Sequence, residues 1–169
     1  MLQFTPSSIS NTSQPGVLTD TADISVGHQS HTTCFSFNFT SVNFGCDSKE
    51  TPCSVTFTGF QFDHVKRRKV EVISKTVSIP ACPRSEKCAL TPLAVSGFDG
   101  VTSITVQAET DGKPTTWWAD DFAFGWFQDT CEYGLCRSRV LNGNAKPGWA
   151  VVSKRAASKL MSFIGVHGW

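Results

Sequence analysis

The segment CFSFNFTSVNF, residues 34–44, decides the fold class of this chain. Its phenylalanines Phe35, Phe37 and Phe39 alternate with polar residues, one of which is Asn38. Successive side chains of a β-strand point to opposite faces of a sheet, so a period of two predicts a strand with one buried and one solvated face. The abundance of Phe, Thr, Ser and Val in the rest of the chain also favours strands over helices.

The same alternation continues along the chain in segments joined by turns. These predicted strands are SVTFTGFQF (54–62), VEVISKTVSI (70–79), VTSITVQAET (101–110) and TTWWADDFAFGW (115–126). Gly59 marks a predicted bulge where the phase of the alternation shifts. The turns are too short for crossover helices, so the strands must pair antiparallel. Six or so strands at this spacing predict an all-β fold, an antiparallel two-sheet β-sandwich that is jelly-roll-like and similar to carbohydrate-binding modules.

The chain has 169 residues, which is about the length of one domain. Residues 1–30 are predicted to be a flexible arm rich in Ser, Thr and Pro, or an edge strand near ADISVG. Residues 31–142 are predicted to form the β-sandwich, and residues 143–169 a C-terminal extension. That extension contains a short amphipathic helical pattern, for which a docked or frayed tail is favoured over a membrane-surface or partner-docking helix.

The charge distribution argues against nucleic acid as a partner. The formal net charge is +1, so no global attraction to a polyanion is expected. The basic run HVKRRK (64–69) is the exception, and a solvated hairpin tip is favoured for it over nucleic-acid binding. No stretch approaches the roughly 18 apolar residues of a membrane span, so no transmembrane segment is predicted.

Seven cysteines in a chain of this length indicate disulfide bonds. Six of them form three pairs that are close in sequence and lie in polar, turn-like stretches. Zinc is the alternative, but it prefers closely spaced Cys and His ligands, a pattern that is missing here. Cys34 is then left over, as a buried free thiol or as a partner that displaces one local pairing. The predicted pairs are Cys46/Cys53, Cys82/Cys88 and Cys131/Cys136.

Disulfides imply an oxidising compartment, and two glycosylation sequons agree with secretion. They begin at Asn11 (NTS) and Asn38 (NFT), the latter on the polar side of its predicted strand. The first residues lack the basic and apolar regions of a signal peptide. A secreted chain would therefore have lost that peptide or be a piece of a longer precursor, and a cytosolic protein with reduced thiols is the alternative.

Five landmarks, in order, resemble a fungal extracellular domain of unknown function, found at the C-terminal end of secreted proteins rich in Ser, Thr and Pro. They are FSFNFTSVNFGCD, CSVTFTGFQFD, the loop of VSIPACPRSEKC, WWADDFAFGWFQDTC and CRSRV, within residues 33–140. The resemblance implies a secreted, cell-wall-associated β-sandwich and supplies no activity. The chain departs from the pattern in its sparse acidic residues before the first strand and in its tail after Val140.

The segment TTWWADDFAFGW holds the candidate binding residues. Strict alternation places Trp118 and Asp120 on one face of the strand and Trp117 and Asp121 on the other. The two carboxylates then cannot act as a glycosidase pair, which must face one sugar, unless a bulge breaks the alternation. Trp117 stands among small residues, so it is the predicted sugar platform, together with Asp121, whereas core packing is the alternative. Trp118 is predicted to lie in the core.

Asp120 is predicted to be buried beside aromatic residues, where an ionised carboxylate needs a partner. A structural calcium ion is the one cofactor that this position suggests, since calcium prefers oxygen ligands. Hydrogen bonds to a loop or an arginine are the favoured alternative. Calcium ligands in addition to Asp120 would come from the acidic residues Asp20, Asp23 and Asp99.

These patterns predict a non-catalytic, secreted fungal surface or cell-wall module whose favoured ligand is carbohydrate. The partner is then a cell-wall polysaccharide, or, as the first alternative, an extracellular protein bound by an adhesion or effector-like module. The second alternative is a carbohydrate-active hydrolase that pairs Asp120 or Asp121 with Glu109 or Asp63. No catalytic residue is assigned, because there is no Gly-x-Ser-x-Gly motif and no triad context for the histidines. The histidines are His28, His31, His64 and His167.

Overall fold

A computed structural model describes residues 1–6, 21–83 and 88–142 of the chain. The predictions for Asn11, for Asp20 and for the tail 143–169 lie outside these residues. The described part contains nine strands: β1 (Leu2–Phe4), β2 (Ala22–Ser25), β3 (Phe37–Cys46), β4 (Cys53–Asp63), β5 (Arg68–Ile79), β6 (Thr91–Val101), β7 (Ser103–Thr110), β8 (Lys113–Pro114) and β9 (Trp117–Trp126). It also contains a 3-10 helix, Gly27–His31, and one α-helix, α1 (Cys131–Asn142).

The strands form two antiparallel sheets that pack face to face. One sheet has the order β1-β9-β3-β6, and the other has the order β2-β7-β4-β5 with β8 attached to β7. The predicted antiparallel two-sheet sandwich is therefore confirmed. Strand β2 coincides with the predicted edge strand at ADISVG, and β1 pairs with β9 at one edge of the other sheet. Both strands precede residue 31, within the segment for which a flexible arm or an edge strand is predicted.

The core consists of the inward-facing residues of both sheets. Phe39 and Phe44 of β3 meet Phe57 of β4, with ring centroids 5.6 Å and 5.9 Å from that of Phe57. Phe98 of β6 closes the cluster at 6.0 Å from Phe39. All four rings are almost fully buried. Burial of a phenylalanine side chain stabilises a fold by roughly 1.5–3 kcal/mol, so the period-two pattern that predicts strands also supplies the core.

The register of β4 and β5 shifts at Gly59, where a bulge is predicted. Gly59 pairs with Ile73, but the next residue of β4 pairs with Glu71, so the extra residue belongs to β5. A Cβ at Gly59 would lie 2.8 Å from Ile73 Cγ2 and 2.9 Å from Phe98 Cδ1. Glycine is needed here because the other sheet and the neighbouring strand leave no room for a side chain.

A second bulge lies in β9 and was not predicted. Ser41 of β3 pairs with Ala123 of β9, and Asn43 pairs with Asp120, so β9 uses three residue steps where β3 uses two. The extra residue of β9 is accommodated by Asp121, whose φ of +52° is in the left-handed region. Asp tolerates this region better than most residues, because its short polar side chain can form local hydrogen bonds. Strict alternation therefore fails along β9.

The disulfide pattern differs from the predicted one in one pair. Two predicted pairs, Cys46–Cys53 and Cys82–Cys88, are present. The third prediction is wrong: Cys136 is bonded to Cys34, which lies 102 positions earlier in the sequence, and Cys131 is an exposed free thiol.

Helix geometry explains why Cys131 and Cys136 cannot pair. Both lie in α1, which the sequence did not predict. Five positions along an α-helix correspond to a rotation of about 140° from one side chain to the other and a rise of about 7.5 Å. A disulfide requires the two Cα atoms to lie within about 7 Å and the Cβ atoms to point toward each other. Of the two alternatives for Cys34, a free thiol or a partner that displaces a local pairing, the structure shows the second.

Arg137, one residue after Cys136, attaches α1 to the sandwich a second time. Its side chain is buried and donates hydrogen bonds to the carbonyl oxygens of Cys34 (3.2 Å) and Gln128 (2.9 Å). The guanidinium also lies 4.5 Å from the centroid of the Trp126 ring. A buried charge must be paired or hydrogen-bonded, and these contacts supply that compensation. The helix is thus part of the domain.

Candidate functional site

Trp117 is a core residue, so its predicted role as a sugar platform is wrong. Its side chain is 0% exposed. The indole stacks on Phe4 of β1 and Phe44 of β3, at centroid distances of 5.3 Å and 4.9 Å. Ala119, two positions later in the strand, points to the same inward face and is also fully buried. Small neighbours here indicate close core packing, not an open groove.

The β9 bulge determines which side chains of the strand reach solvent. Before the bulge, Trp117 and Ala119 point inward. After it, Phe122, Phe124 and Trp126 pack against the core. The inward-facing positions therefore change from odd to even numbers at the bulge. Asp120 and Asp121 lie between these two groups of inward-facing residues, so both aspartates lie on the outer face of the sheet.

Trp118 is the tryptophan that lies on this outer face, which contradicts its predicted place in the core. It is partly buried and pairs with Gln3 of β1 on one side and with Gly45 of β3 on the other. Gly45 has no side chain to cover the indole from that side. Leu90 instead approaches Gly45, with its Cδ2 atom 2.9 Å from the place of a Cβ there. Leu90 thus covers the backbone of Gly45, the cross-strand neighbour of Trp118.

Asp120 and Asp121 are connected to each other and to β3 by hydrogen bonds. Asp120 Oδ1 accepts the backbone N–H of Asp121 at 3.1 Å and lies 3.3 Å from the α-amino group of Met1. Asp121 Oδ2 accepts a hydrogen bond of 2.8 Å from the side-chain amide of Asn43. The Asp120 side chain is 47% exposed, and Asp121 is exposed. The prediction that Asp120 is buried is therefore wrong, and both charges are solvated.

The residues around Asp120 do not fit the predicted calcium site. Calcium takes six to eight oxygen ligands, usually from several carboxylates and carbonyls that converge on one point. Within the described residues, no group of three or more His, Cys, Asp or Glu side chains could hold a metal ion. Asp23, a predicted co-ligand, lies on β2 of the other sheet and forms an ion pair with Lys69 at 2.7 Å. Because Asp120 is exposed to water, it needs no cation for compensation.

The predicted hydrolase pairs are also separated. Glu109 lies on β7 of the second sheet, whose inward positions are Ile104, Val106 and Ala108. Glu109 therefore shares the outer face of that sheet with Gln107, which donates a hydrogen bond of 2.7 Å to it. The whole core lies between this carboxylate and those of β9. Asp63 ends β4 of the second sheet, where its Oδ1 accepts the N–H groups of Val65 and Lys66.

The sequon at Asn38 lies on the same outer face as the aspartates. Asn38 is partly buried, and its side-chain oxygen accepts the N–H of Gly100 at 3.0 Å. The Nδ2 atom is the one that a glycan would modify. Asn38 is five residues from Asn43 along β3, which corresponds to about 16 Å. A glycan there remains a prediction, and it would share the face that carries Trp118.

We define the Trp118 surface as the outer-face residues Trp118, Asp120, Asp121 and Asn43. It combines one partly exposed indole, two carboxylates and one amide on a sheet surface. A sequence feature could have indicated this surface. Two consecutive aspartates are unusual inside a regular strand, and Asp tolerates the left-handed conformation of a bulge.

The fold and this surface define a class of protein: a disulfide-bonded, antiparallel β-sandwich domain with a mixed aromatic and acidic outer face. In the stretches covered by the structure, no helix has the length and apolar character to cross a membrane. The chain belongs to a family described as a domain of unknown function, DUF7371, which matches residues 1–137. No curated protein and no solved structure matches the chain. The family match includes β1 and β2, in agreement with their place in the sandwich.

Proposed function

We propose that this chain is a non-catalytic, secreted module of a fungal surface or cell wall that binds carbohydrate through the Trp118 surface. One observation carries the proposal. The bulge at Asp121 gives the outer face of β9 two solvated carboxylates next to a partly exposed indole. Without the bulge, the strand would present only one of the two carboxylates beside this tryptophan.

The chemistry of the Trp118 surface suits a sugar. An indole face offers an apolar area to the C–H groups of a pyranose ring, and carboxylate and amide groups form hydrogen bonds with its hydroxyls. The hydrogen bond from Asn43 to Asp121 fixes one carboxylate in place, which lowers the entropic cost of orienting it for a ligand. The surface extends over two adjacent strands, β9 and β3, so it presents its indole and its polar groups side by side to one ligand.

Secretion is supported by the cysteine chemistry. Disulfide bonds persist in oxidising compartments and are rare in the cytosol of mesophiles. Cys34–Cys136 is buried on the Cys34 side and joins residues 102 positions apart, so it is part of the tertiary structure. A fungal cell-wall setting is supported by the resemblance of the sequence landmarks. The predicted glycan on Asn38 would agree with the same setting.

Binding to insoluble wall polymers tests the proposal. Purified protein is mixed with chitin, β-glucan and mannan, and the retained fraction is measured for the wild type and for Trp118→Ala. We expect Trp118→Ala to weaken retention on the bound polymer at least about tenfold, which corresponds to about 1.4 kcal/mol of lost stacking. Asp121→Asn should weaken it as well while preserving the backbone, because Asn also accepts a positive φ.

Phe127→Ala provides the matched control. Phe127 is a 48% exposed aromatic residue that follows the far end of β9, about 30 Å along the strand from Trp118. Its replacement removes exposed aromatic area without touching the Trp118 surface, so retention should not change. If none of the three polymers retains the wild type, the carbohydrate proposal is refuted and an extracellular protein becomes the favoured partner. Equal retention of Trp118→Ala and the wild type would refute the assignment of the site.

A further inference from the structure

A cleft of about 580 Å³ lies at one end of the second sheet, away from the Trp118 surface. We call it the histidine cleft. Its lining combines three imidazoles, one guanidinium, one hydroxyl and one phenyl ring. The lining residues are His28, Ser30, His31, Phe62, His64 and Arg67.

Strand order explains why residues so distant in sequence meet here. The 3-10 helix Gly27–His31 follows β2 directly, and the turn between β4 and β5 follows Phe62. Strands β2 and β4 both pair with β7, one on each side. The helix and the turn therefore emerge at the same end of the sheet and form the two walls of the cleft.

The turn wall is held in a fixed shape. Asp63 Oδ1 accepts the backbone N–H groups of Val65 and Lys66, each at 2.9 Å. Arg67 adopts a left-handed backbone with φ +52°, which directs the chain back into β5. On the same wall the Phe62 and His64 rings meet edge to face at 5.3 Å. These contacts fix the backbone of the turn and orient the His64 ring.

The carboxylates near the cleft are already engaged. Asp23 of β2 forms an ion pair with Lys69 of β5 at 2.7 Å. Asp63 accepts two backbone N–H groups and lies 3.7 Å from Lys66 Nζ. In contrast, Arg67 and Arg68 form no ion pair with any residue that the structure describes. The cleft therefore has an excess of positive charge and of hydrogen-bond donors.

We propose that the histidine cleft binds an oxyanion group, a phosphate, sulfate or carboxylate, and binds it more tightly in mildly acidic solution. Arg67 supplies a permanent charge and a planar set of N–H donors that matches oxyanion geometry. His31 and His64 add ring nitrogens to the same cleft, and histidine as a class is the side chain that most readily gains charge in mildly acidic solution. Phe62 provides an apolar wall for the remainder of the ligand. The proposal does not depend on carbohydrate binding at the Trp118 surface.

The groups next to the cleft histidines also bear on how anion binding depends on pH. The backbone N–H of Lys66 is the main cause that holds the pKa of the Asp63 carboxyl below its ordinary value, so Asp63 stays ionised in mildly acidic solution. His28 is a special case, since its Nε2 lies 2.9 Å from the side-chain nitrogen of Gln29. The amide nitrogen of Gln29 can only donate, so it donates this hydrogen bond to the ring nitrogen of His28.

Titration of the whole chain with small anions tests the proposal. Inorganic phosphate, sulfate and glucuronate are added at pH 7.5 and at pH 5.5, with glucose as the uncharged counterpart of glucuronate, and binding is followed by calorimetry. We expect at least one anion to bind, with an affinity about tenfold higher at pH 5.5, and glucose not to bind in the cleft. The anion that binds best identifies the group as tetrahedral or as a carboxylate. Absence of binding by all three anions at pH 5.5 would overturn the proposal.

Matched variants locate the site. Arg67→Asn removes the charge and keeps a residue that accepts positive φ, and it should weaken anion binding about tenfold. Arg68→Gln removes the same charge from the neighbouring position, which does not line the cleft, so it should have a much smaller effect. His64→Gln should reduce the difference between the two pH values. Equal losses of anion affinity for Arg67→Asn and Arg68→Gln would mean non-specific attraction and would refute the site. Trp118→Ala should leave anion binding unchanged, whatever its effect on polysaccharide retention.

Discussion

Removal of the Cys34–Cys136 disulfide should destabilise the domain strongly, and removal of Cys131 should not. The bond closes a loop of 102 positions. The chain-entropy relation gives about 4.7 kcal/mol at 25 °C for a loop of that length, against about 2.4 kcal/mol for the seven positions closed by Cys46–Cys53. In a domain of this size each kcal/mol shifts Tm by about 2–4 °C, so the expected loss is about 9–19 °C.

The assay compares the double variant Cys34→Ala/Cys136→Ala with the single variant Cys131→Ala by thermal denaturation under non-reducing conditions. Alanine is chosen because Cys34 is buried, where serine would add an unpaired hydroxyl. The wild type should also react with one equivalent of a thiol reagent in the native state, because Cys131 is exposed. Cys131→Ala should lose this reaction and keep the Tm of the wild type.

The opposite pattern would refute the structural assignment. If Cys131→Ala lowers Tm by several degrees and the native protein then reacts with the reagent at Cys136, the local pair Cys131/Cys136 exists and α1 does not form as described. Peptide mapping without reduction distinguishes the two pairings directly. A fragment that joins the peptides of Cys34 and Cys136 is the expected result.

Two further predictions concern the core and the charged turn. Trp117→Ala should destabilise the domain by about 3–5 kcal/mol, because it opens a cavity between Phe4 and Phe44. Trp118→Ala should cost much less, because Trp118 lies on the outer face of the sheet. Similar losses of unfolding free energy for the two variants in chemical denaturation would contradict this assignment of inward and outward positions in β9. Asp63→Asn should lower Tm at pH 7, because the depressed pKa of Asp63 means that its ionised form stabilises the folded state above its unfolded pKa. This contribution is lost as the pH falls through the folded pKa, so the Tm values of wild type and variant should converge in acid. A difference in Tm that stays constant as the pH is lowered would contradict the role of the carboxylate.

The strands were predictable from sequence because their pattern is local. Each phenylalanine in residues 34–44 reports the face of its own strand, and the turns between strands carry their own residues. The antiparallel sandwich follows from those two facts, whereas the order of strands in the sheets depends on pairings between distant segments. Gly59 was also predictable, since a glycine inside an alternating strand indicates close approach or a bulge.

The helix α1 was not predictable from local pattern. Its residues include Gly134, which disfavours a helix interior, and two cysteines five positions apart suggested a stapled loop. The contacts that stabilise the helix come from the distant segment around Cys34, which offers a sulfur and a carbonyl oxygen to Cys136 and Arg137. Tertiary contacts of this kind override weak helix propensity, and no window of local sequence contains them.

The candidate site shows how one backbone conformation can reverse a functional interpretation. The sequence directed attention to the Trp-Trp-Ala-Asp-Asp segment, but strict alternation assigned each of its residues to a face on the assumption of a regular strand. A single left-handed residue, Asp121, changes the phase in the middle of β9. Trp117 therefore lies in the core, Trp118 lies on the surface, and the two aspartates share one side. Because the bulge aligns the acidic pair with the exposed indole, it forms the only candidate ligand surface on β9 among the described residues, and a variant that removes the bulge would remove the surface with it.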